Sequence, residues 1–540
     1  VKNRICNFLA LLLLLVLLTP SLWKLTGKNL VRPLDGAFVN SGSPALSGFS
    51  WPEWFDNSFQ SRFSDQINQH IGMHDFFVRL YNQLNWSLFR SVSAEGVVAG
   101  KEDMLFEYDY IRAMLGEDYL GEQILDRQIR RMRRLQEYLM RQHNTCLLFL
   151  FEPSKVRFYP EYLPTRFISD SENPTNYSVS LDLCQKYGLH YIDFNAFFEK
   201  EKGQHPYPLY TKYGTHWSEY GMHLALDSLL TYLRMFSGHN IPEVTIENIT
   251  RSSQPQKTDY DLGYLLNLLT PLRCEVMGYP RYAPVTDTAQ TESSVLAVGD
   301  SYYFNIFNTE AKSHFFAQHN FWYYNKHIYP EQYSRESLVE EVNLREELSS
   351  VDIILVTVTE RFLYKNLWGF ADLAYGAFFA TSVEEPFYHA LNQILSTDSW
   401  FNEILEEAKI RHIPPATLLE QHAAFMVYEN DRKSYILSRG AEYFENTIRF
   451  DEKWSAMMLE KAKEKGKTPD EVIAEDALYI FKKNHPEWYE QWLFITQVKE
   501  DMLNTPHWMD ALREKARSNY LTLEEMMQLD AEYLWAVREK

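Results

Sequence analysis

Short apolar runs separated by longer segments of helical spacing fill the middle of the chain. CLLFLF (residues 146–151), YIDF (191–194), SVLAVG (294–299) and VDIILVTV (351–358) read as buried strands. ILDRQIRRMRRLQEYLMRQH, which precedes the first, reads as a helix, and residues 57–92 space Phe, Ile, Leu and Trp as a helix would. Apolar strands alternating with helices predict an α/β domain over residues 75–375, a parallel sheet with helices on both faces. In such sheets ligands bind at the carboxyl ends of the strands.

The two ends of the chain are patterned differently. Lys2 and Arg4 precede an uncharged run from Ile5 to Trp23, and those 19 residues are close to the roughly 20 that span a bilayer. No small-residue cleavage pattern follows Leu18, so residues 1–25 are expected to be an N-terminal transmembrane anchor, with a cleaved signal as the rival. Residues 26–74, with Pro33, Gly36, Gly42, Pro44 and Gly48, read as a linker or arm that also contains a helical segment.

From residue 385 onward no strand is expected. Trp400, Trp454 and Trp508 recur at intervals of 54 residues, with Ile404, Met458 and Leu512 four residues on and Ala408, Ala462 and Ala516 eight residues on. Thr468 with Glu471 and Thr522 with Glu525 are capping boxes for second helices, which carry Ala423, Ala477 and Ala531 in register. Residues 385–540 are therefore expected to form an all-α module of three ~54-residue repeats, each a helix–turn–helix unit. The tryptophans are assigned to packing between repeats. The module is a candidate surface for a protein partner.

Composition narrows the function. A net charge of −20 argues against a nucleic-acid partner. The four cysteines, Cys6, Cys146, Cys184 and Cys274, have no C-x-x-C spacing, so neither a zinc site nor a redox pair is expected. SHFFAQHNFWYYNKH (313–327) is rich in histidine, but His314 and His319 lie five residues apart with no acidic partner in register, so no metal and no cofactor is assigned.

The candidate chemistry lies in two short stretches. AVGDSYYFN (297–305) ends an apolar strand and opens a helix, which sets Ser301 at a strand's carboxyl end with its backbone N–H available to an oxyanion. A serine hydroxyl needs a base to take its proton. KYGTHWSEYG (212–221) supplies His216, in a turn followed by a helix.

These stretches resemble the SGNH-hydrolase-like proteins of the bacterial envelope, related to the alginate O-acetyltransferases and to the proteins named for a DHHW motif. GTHW (214–217) precedes GDS (299–301) in the order of that group, and GKEDMLFEYDYI (100–111), PSKVRFYPEYLP (153–164) and VTERFL (358–363) are similar as well. The resemblance covers residues 75 to 370. It implies an SGNH-like fold and transfer or hydrolysis of an acetyl ester on a polysaccharide, with Ser301 as nucleophile and His216 as base. It also implies an exported chain at the bacterial inner membrane.

The family's orienting aspartate stands two residues before the histidine, where this chain has Gly214. Asp193, Asp261 and Glu360 are the candidate substitutes. Asp300 is expected to order the serine turn, Asn305 and Arg361 are candidates to bind an acyl or sugar oxygen, and Lys155 and Glu161 read as structural. Two functions stay open: an O-acetyltransferase or acetylesterase using Ser301 and His216, and a glycan-binding or assembly protein that kept the fold but lost the site.

Overall fold

The structure is a computed structural model, describing all residues except 1–17, 21, 27–29, 37–48, 71, 169–172, 244, 284–292, 310–315, 331–336, 383, 539 and 540. Most of the apolar run from Ile5 to Trp23, and with it the anchor expectation, lies outside the described residues. Among the described residues no helix is long and apolar enough to cross a membrane.

The strands in chain order are β1 (Val97–Ala99), β2 (Leu105–Glu107), β3 (Cys146–Glu152), β4 (Tyr191–Asp193), β5 (Ile246–Ser252), β6 (Met277–Tyr282), β7 (Ser294–Gly299), β8 (Gln318–Tyr323), β9 (His327–Tyr329) and β10 (Ile353–Thr359). Six of them form the central sheet in the order β4-β3-β10-β7-β8-β9. Its first five strands are parallel, and β9 runs antiparallel to β8, so the expected parallel sheet is a mixed one. The remaining strands form two antiparallel pairs outside it, β1-β2 and β5-β6.

The sheet is buried on both faces, which is why its strands read as unbroken apolar runs rather than alternating ones. Leu147, Phe149, Phe151, Val298 and Val356 share a core with the Glu122–His143 and Phe370–Phe378 helices. Leu148, Leu150, Ala297 and Leu355 pack instead with residues of the Glu219–Phe236 helix, such as Leu226 and Leu230. The helical stretch read at 57–92 is two helices, Ser58–His70 and His74–Phe89, with Met73 between them at φ 63°.

From residue 385 onward every element among the described residues is a helix. Each 54-residue period holds three helices rather than a hairpin. The first period is Glu385–Ser396, Asp398–Arg411 and Pro415–Asn430. In the second, the segments Arg432–Arg439 and Ala441–Phe450 precede Glu452–Lys465 and Pro469–Asn484; the third is Pro486–Asn504, Pro506–Ser518 and Leu523–Arg538. Within each period the first and third helices pack on each other. Ala423, Ala477 and Ala531 are fully buried on the third helices, where small residues let the partner helix approach. The tryptophans are half-buried, and Trp400 donates its Nε1–H to His422 Nδ1 at 3.1 Å.

Candidate active site

The serine turn follows β7 at the carboxyl edge of the sheet. Asp300 is fully buried and acts as the turn's anchor. One of its oxygens accepts the Tyr302 N–H at 2.9 Å; the other accepts both the Thr359 N–H at 2.8 Å and its hydroxyl at 2.7 Å, at the end of neighbouring β10. Beneath the turn, burial and the nearby Asp300 charge push the Glu152 carboxyl well above the usual carboxylate range. Thr357 donates to Glu152 at 2.6 Å. Asp300 thus orders the turn, and the half-exposed Ser301 is left at the surface of the site.

His216 reaches Ser301 from a loop that Tyr210 and Trp217 pin by a backbone bridge. Its Nε2 lies 3.4 Å from Ser301 Oγ. Its other ring nitrogen, Nδ1, lies 2.6 Å from Asp261 Oδ2. The ring also lies against Tyr302, with centroids 4.6 Å apart, and the Tyr302 hydroxyl donates to the Thr215 carbonyl at 2.7 Å. Asp261 is itself held, since its Oδ1 accepts the Thr215 N–H at 2.8 Å and the Leu262 N–H at 2.7 Å. A carboxylate fixed on Nδ1 selects the tautomer that leaves Nε2 free to accept a proton.

Gly214 explains why the acid comes from elsewhere. A Cβ there would stand 2.6 Å from Thr211 Oγ1 and 2.8 Å from the Thr258 carbonyl oxygen. The site has no room for any side chain at that position. Asp261, opening the short Asp261–Leu265 helix, fills the role from the opposite side of the loop.

The other two candidate acids are elsewhere. Asp193 caps the Phe194–Glu201 helix through the Asn195 and Ala196 N–H groups, and Tyr177 donates to it at 2.9 Å. It ends β4, an edge strand of the sheet, separated from β7 by β3 and β10. Glu360 is buried and pairs with Arg157, whose Nε donates at 2.7 Å. Neither touches His216. Asn305 is buried and donates to Thr258 Oγ1 at 2.9 Å, so it braces the loop beside Gly214 rather than lining an opening. Arg361 donates to Glu107 at 2.6 Å, and Glu107 in turn accepts the Thr215 hydroxyl at 2.7 Å.

Sequence reasoning passed over two supports. Glu107 joins Thr215 to Arg361, as just described. Lys155, read as structural, is fully buried and donates to the Gly214 carbonyl at 2.6 Å and the Lys212 carbonyl at 3.0 Å, which clamps the histidine loop. Burial pushes its ammonium down to about 7 against the pull of Asp261, Glu275 and Glu107. Glu107 lies in GKEDMLFEYDYI and Lys155 in PSKVRFYPEYLP, so the signal for both in the sequence is the resemblance those stretches carry, which gives neither residue a role. His319 of the histidine-rich stretch is within 2.8 Å of the Tyr303 hydroxyl, whereas His314 lies outside the described residues. Cys146, Cys184 and Cys274 are free thiols.

Residues 97–302, from β1 through the serine turn, match the family described as SGNH hydrolase-like domain, acetyltransferase AlgX. The chain carries an SGNH-like α/β domain with a mixed sheet. The sheet of this SGNH-like domain runs past the matched segment, because β10, the strand beside β7, comes later in the chain. Among solved structures the chain is similar to the O-acetyltransferase domain of Pseudomonas putida AlgJ, at 18% identity over 50% of this chain and 92% of that one, with a TM-score of 0.36. It is also similar to Pseudomonas aeruginosa AlgX, at 13% identity over 53% of this chain and 69% of that one (TM-score 0.35). For Bacillus cereus PatB1 the figures are 14%, 49% and 95%, with a TM-score of 0.33. No curated protein matches the chain.

Proposed function

We propose that the chain is an exported O-acetyltransferase or acetylesterase acting on a polysaccharide, with Ser301, His216 and Asp261 as its working residues. The observation that carries this reading is the continuous line from Asp261 Oδ2 through the His216 ring to Ser301 Oγ, at 2.6 and 3.4 Å. The second distance is looser than a formed hydrogen bond, and such contacts tighten when substrate binds.

In the proposed reaction Ser301 Oγ attacks the carbonyl carbon of an acetyl ester while its proton passes to His216 Nε2. Asp261 stabilises the resulting imidazolium through Nδ1–H. The Ser301 N–H has no acceptor among the described residues and is available to the oxyanion. The alcohol of the donor leaves with the proton from Nε2, and the acetyl group stays on Ser301. A hydroxyl of the polysaccharide, or water, then gives its proton to His216 and takes the acetyl group. The uncharged run from Ile5 to Trp23 supports export with a membrane tether. A mature protein beginning near residue 22, found by mass analysis of the membrane and soluble fractions, would remove the tether from this proposal.

Hydrolysis of p-nitrophenyl acetate tests the site. Ser301→Ala and His216→Ala should each lower turnover by about 10³-fold or more, and the double variant should be little worse than either, because residues acting as one unit are not additive. Turnover unchanged in Ser301→Ala would leave the glycan-binding reading in its place.

A further inference from the structure

A cavity of about 560 Å³ lies between the SGNH-like domain and the first helical period. Tyr108, Arg112 and Glu117 form one wall, and Asn402, Leu405 and Lys409 belong to the other. Tyr108 directly follows Glu107, the residue that accepts the Thr215 hydroxyl one position before His216. The helix that carries Tyr108 and Arg112 into the cavity wall therefore starts directly after a residue that braces the histidine loop. We infer that this crevice is an accessory subsite for an uncharged polysaccharide, holding sugar units that neighbour the one at Ser301. The inference rests on the acetyl-transfer reading above and adds to it a substrate class and a role for the helical module.

Three observations carry it. First, the size and position fit. Ligand sites of roughly 300–1,000 Å³ form where domains meet, and this one is walled by both parts of the chain. Second, the lining suits a sugar. Tyr108 offers an aromatic face and Leu405 an apolar one, while Asn402 and Arg112 offer hydrogen-bonding groups at the same mouth. The two are already joined, Arg112 Nη1 donating to Asn402 Oδ1 at 3.0 Å, while Arg112 Nε is buried without a partner among the described residues.

Third, the charge excludes a polyanion. Arg112 and Lys409 are matched by Glu117 and Glu406 in the same lining, and Arg112 also pairs with Asp109 at 3.3 Å. Of the cations in neighbouring segments, Arg361 is paired with Glu107 at 2.6 Å and Lys365 with Asp398 at 2.5 Å. The whole chain carries −20. A polymer of uronates would meet two carboxylates beside the two cations of this lining, with no net positive charge to receive it. An uncharged polymer meets no such penalty.

The test uses the full chain as Ser301→Ala, so that binding is read without turnover. Calorimetric titration with hexamers of β-1,4-linked glucose, α-1,4-linked glucose and β-1,4-linked N-acetylglucosamine should find at least one that binds at least tenfold more tightly than a mannuronate hexamer. Asn402→Trp, at an exposed position in the cavity wall, should weaken that binding at least tenfold at an unchanged melting temperature, and Tyr108→Ala should act in the same direction. Tighter binding of the mannuronate, or no binding of any uncharged hexamer, overturns the substrate class. Equal affinity in Asn402→Trp and its parent overturns the crevice as the subsite. The acetyl-transfer reading fails separately, by the p-nitrophenyl acetate assay with Ser301→Ala.

Discussion

Gly214 leaves no room for an acid two residues before His216, and Asp261 holds the ring instead. The reason is steric: the atoms around Gly214 would stand 2.6 and 2.8 Å from a Cβ, so no carboxylate fits there. Asp261→Asn should lower ester turnover by about 10³–10⁴-fold, as loss of an orienting carboxylate does elsewhere. Adding Gly214→Asp to that variant should restore nothing and should lower the melting temperature. Ser301 and His216 were legible in the sequence from their turns and their order. Asp261 was legible only as one of three, because its role depends on a fold that brings residues 45 apart onto one ring. Asp118 is a residue of another kind. It is almost fully buried, and burial pushes its carboxyl up to about 7. In the unfolded chain it ionises near pH 4, so between about pH 4 and 7 the native state keeps a proton that the unfolded state has lost. Stability therefore falls as pH rises through that window. Asp118→Asn removes the group, and its gain in melting temperature over the parent should be larger at pH 8 than at pH 5, a difference corresponding to about 3 kcal/mol at most.

The helices of the repeats show how far a recurrence in sequence reports structure. The shared tryptophans and alanines mark the second and third helices of each period, because those helices keep the same contacts three times. The first helix has no common signature. It is short at Glu385–Ser396, continuous at Pro486–Asn504, and broken in the second period between Arg432–Arg439 and Ala441–Phe450. The break is at Gly440, with φ 58°, and a Cβ there would lie 1.9 Å from Trp492 Nε1. Its counterpart 54 residues on is Phe494, inside an unbroken helix. Glycine is needed at 440 for its backbone and for the indole packed against it. Gly440→Ala should destabilise the protein by more than about 1 kcal/mol in denaturant unfolding, whereas an alanine in place of a glycine with ordinary helical angles would be neutral or stabilising. Strands β3, β4, β7 and β10 were legible to within two residues as short apolar runs, whereas β8 was not, because it opens on Gln318, His319 and Asn320. The antiparallel β9, three residues long, offered no such run.

Across the whole molecule, one helix is tied to both ends of the helical module. Arg127 and Arg131 of Glu122–His143 are buried against Asp372 and Glu385, with Arg131 Nη1 at 3.0 Å from Asp372 and Arg127 Nη2 at 2.9 Å from Glu385. Removing one partner of such a buried set strands the opposite charge. Arg127→Met should cost about 3–5 kcal/mol and shift the whole calorimetric unfolding transition rather than split it. The same helix also holds the far end of the repeats: Arg130 donates to Glu525 at 2.7 Å, Arg134 to Asn519 at 2.7 Å, and Tyr520 to Glu137 at 2.7 Å. Stacked repeats with free ends bend like a spring, since each unit touches only its neighbours. This stack has its first and last units fastened to one rod, so it is a closed hoop. A hoop keeps a fixed circumference, and its length is counted in whole periods. Excising one 54-residue unit would leave the remaining two unable to reach both attachments, so homologous chains with this arrangement are expected to gain or lose repeats only together with changes in that arginine-bearing rod.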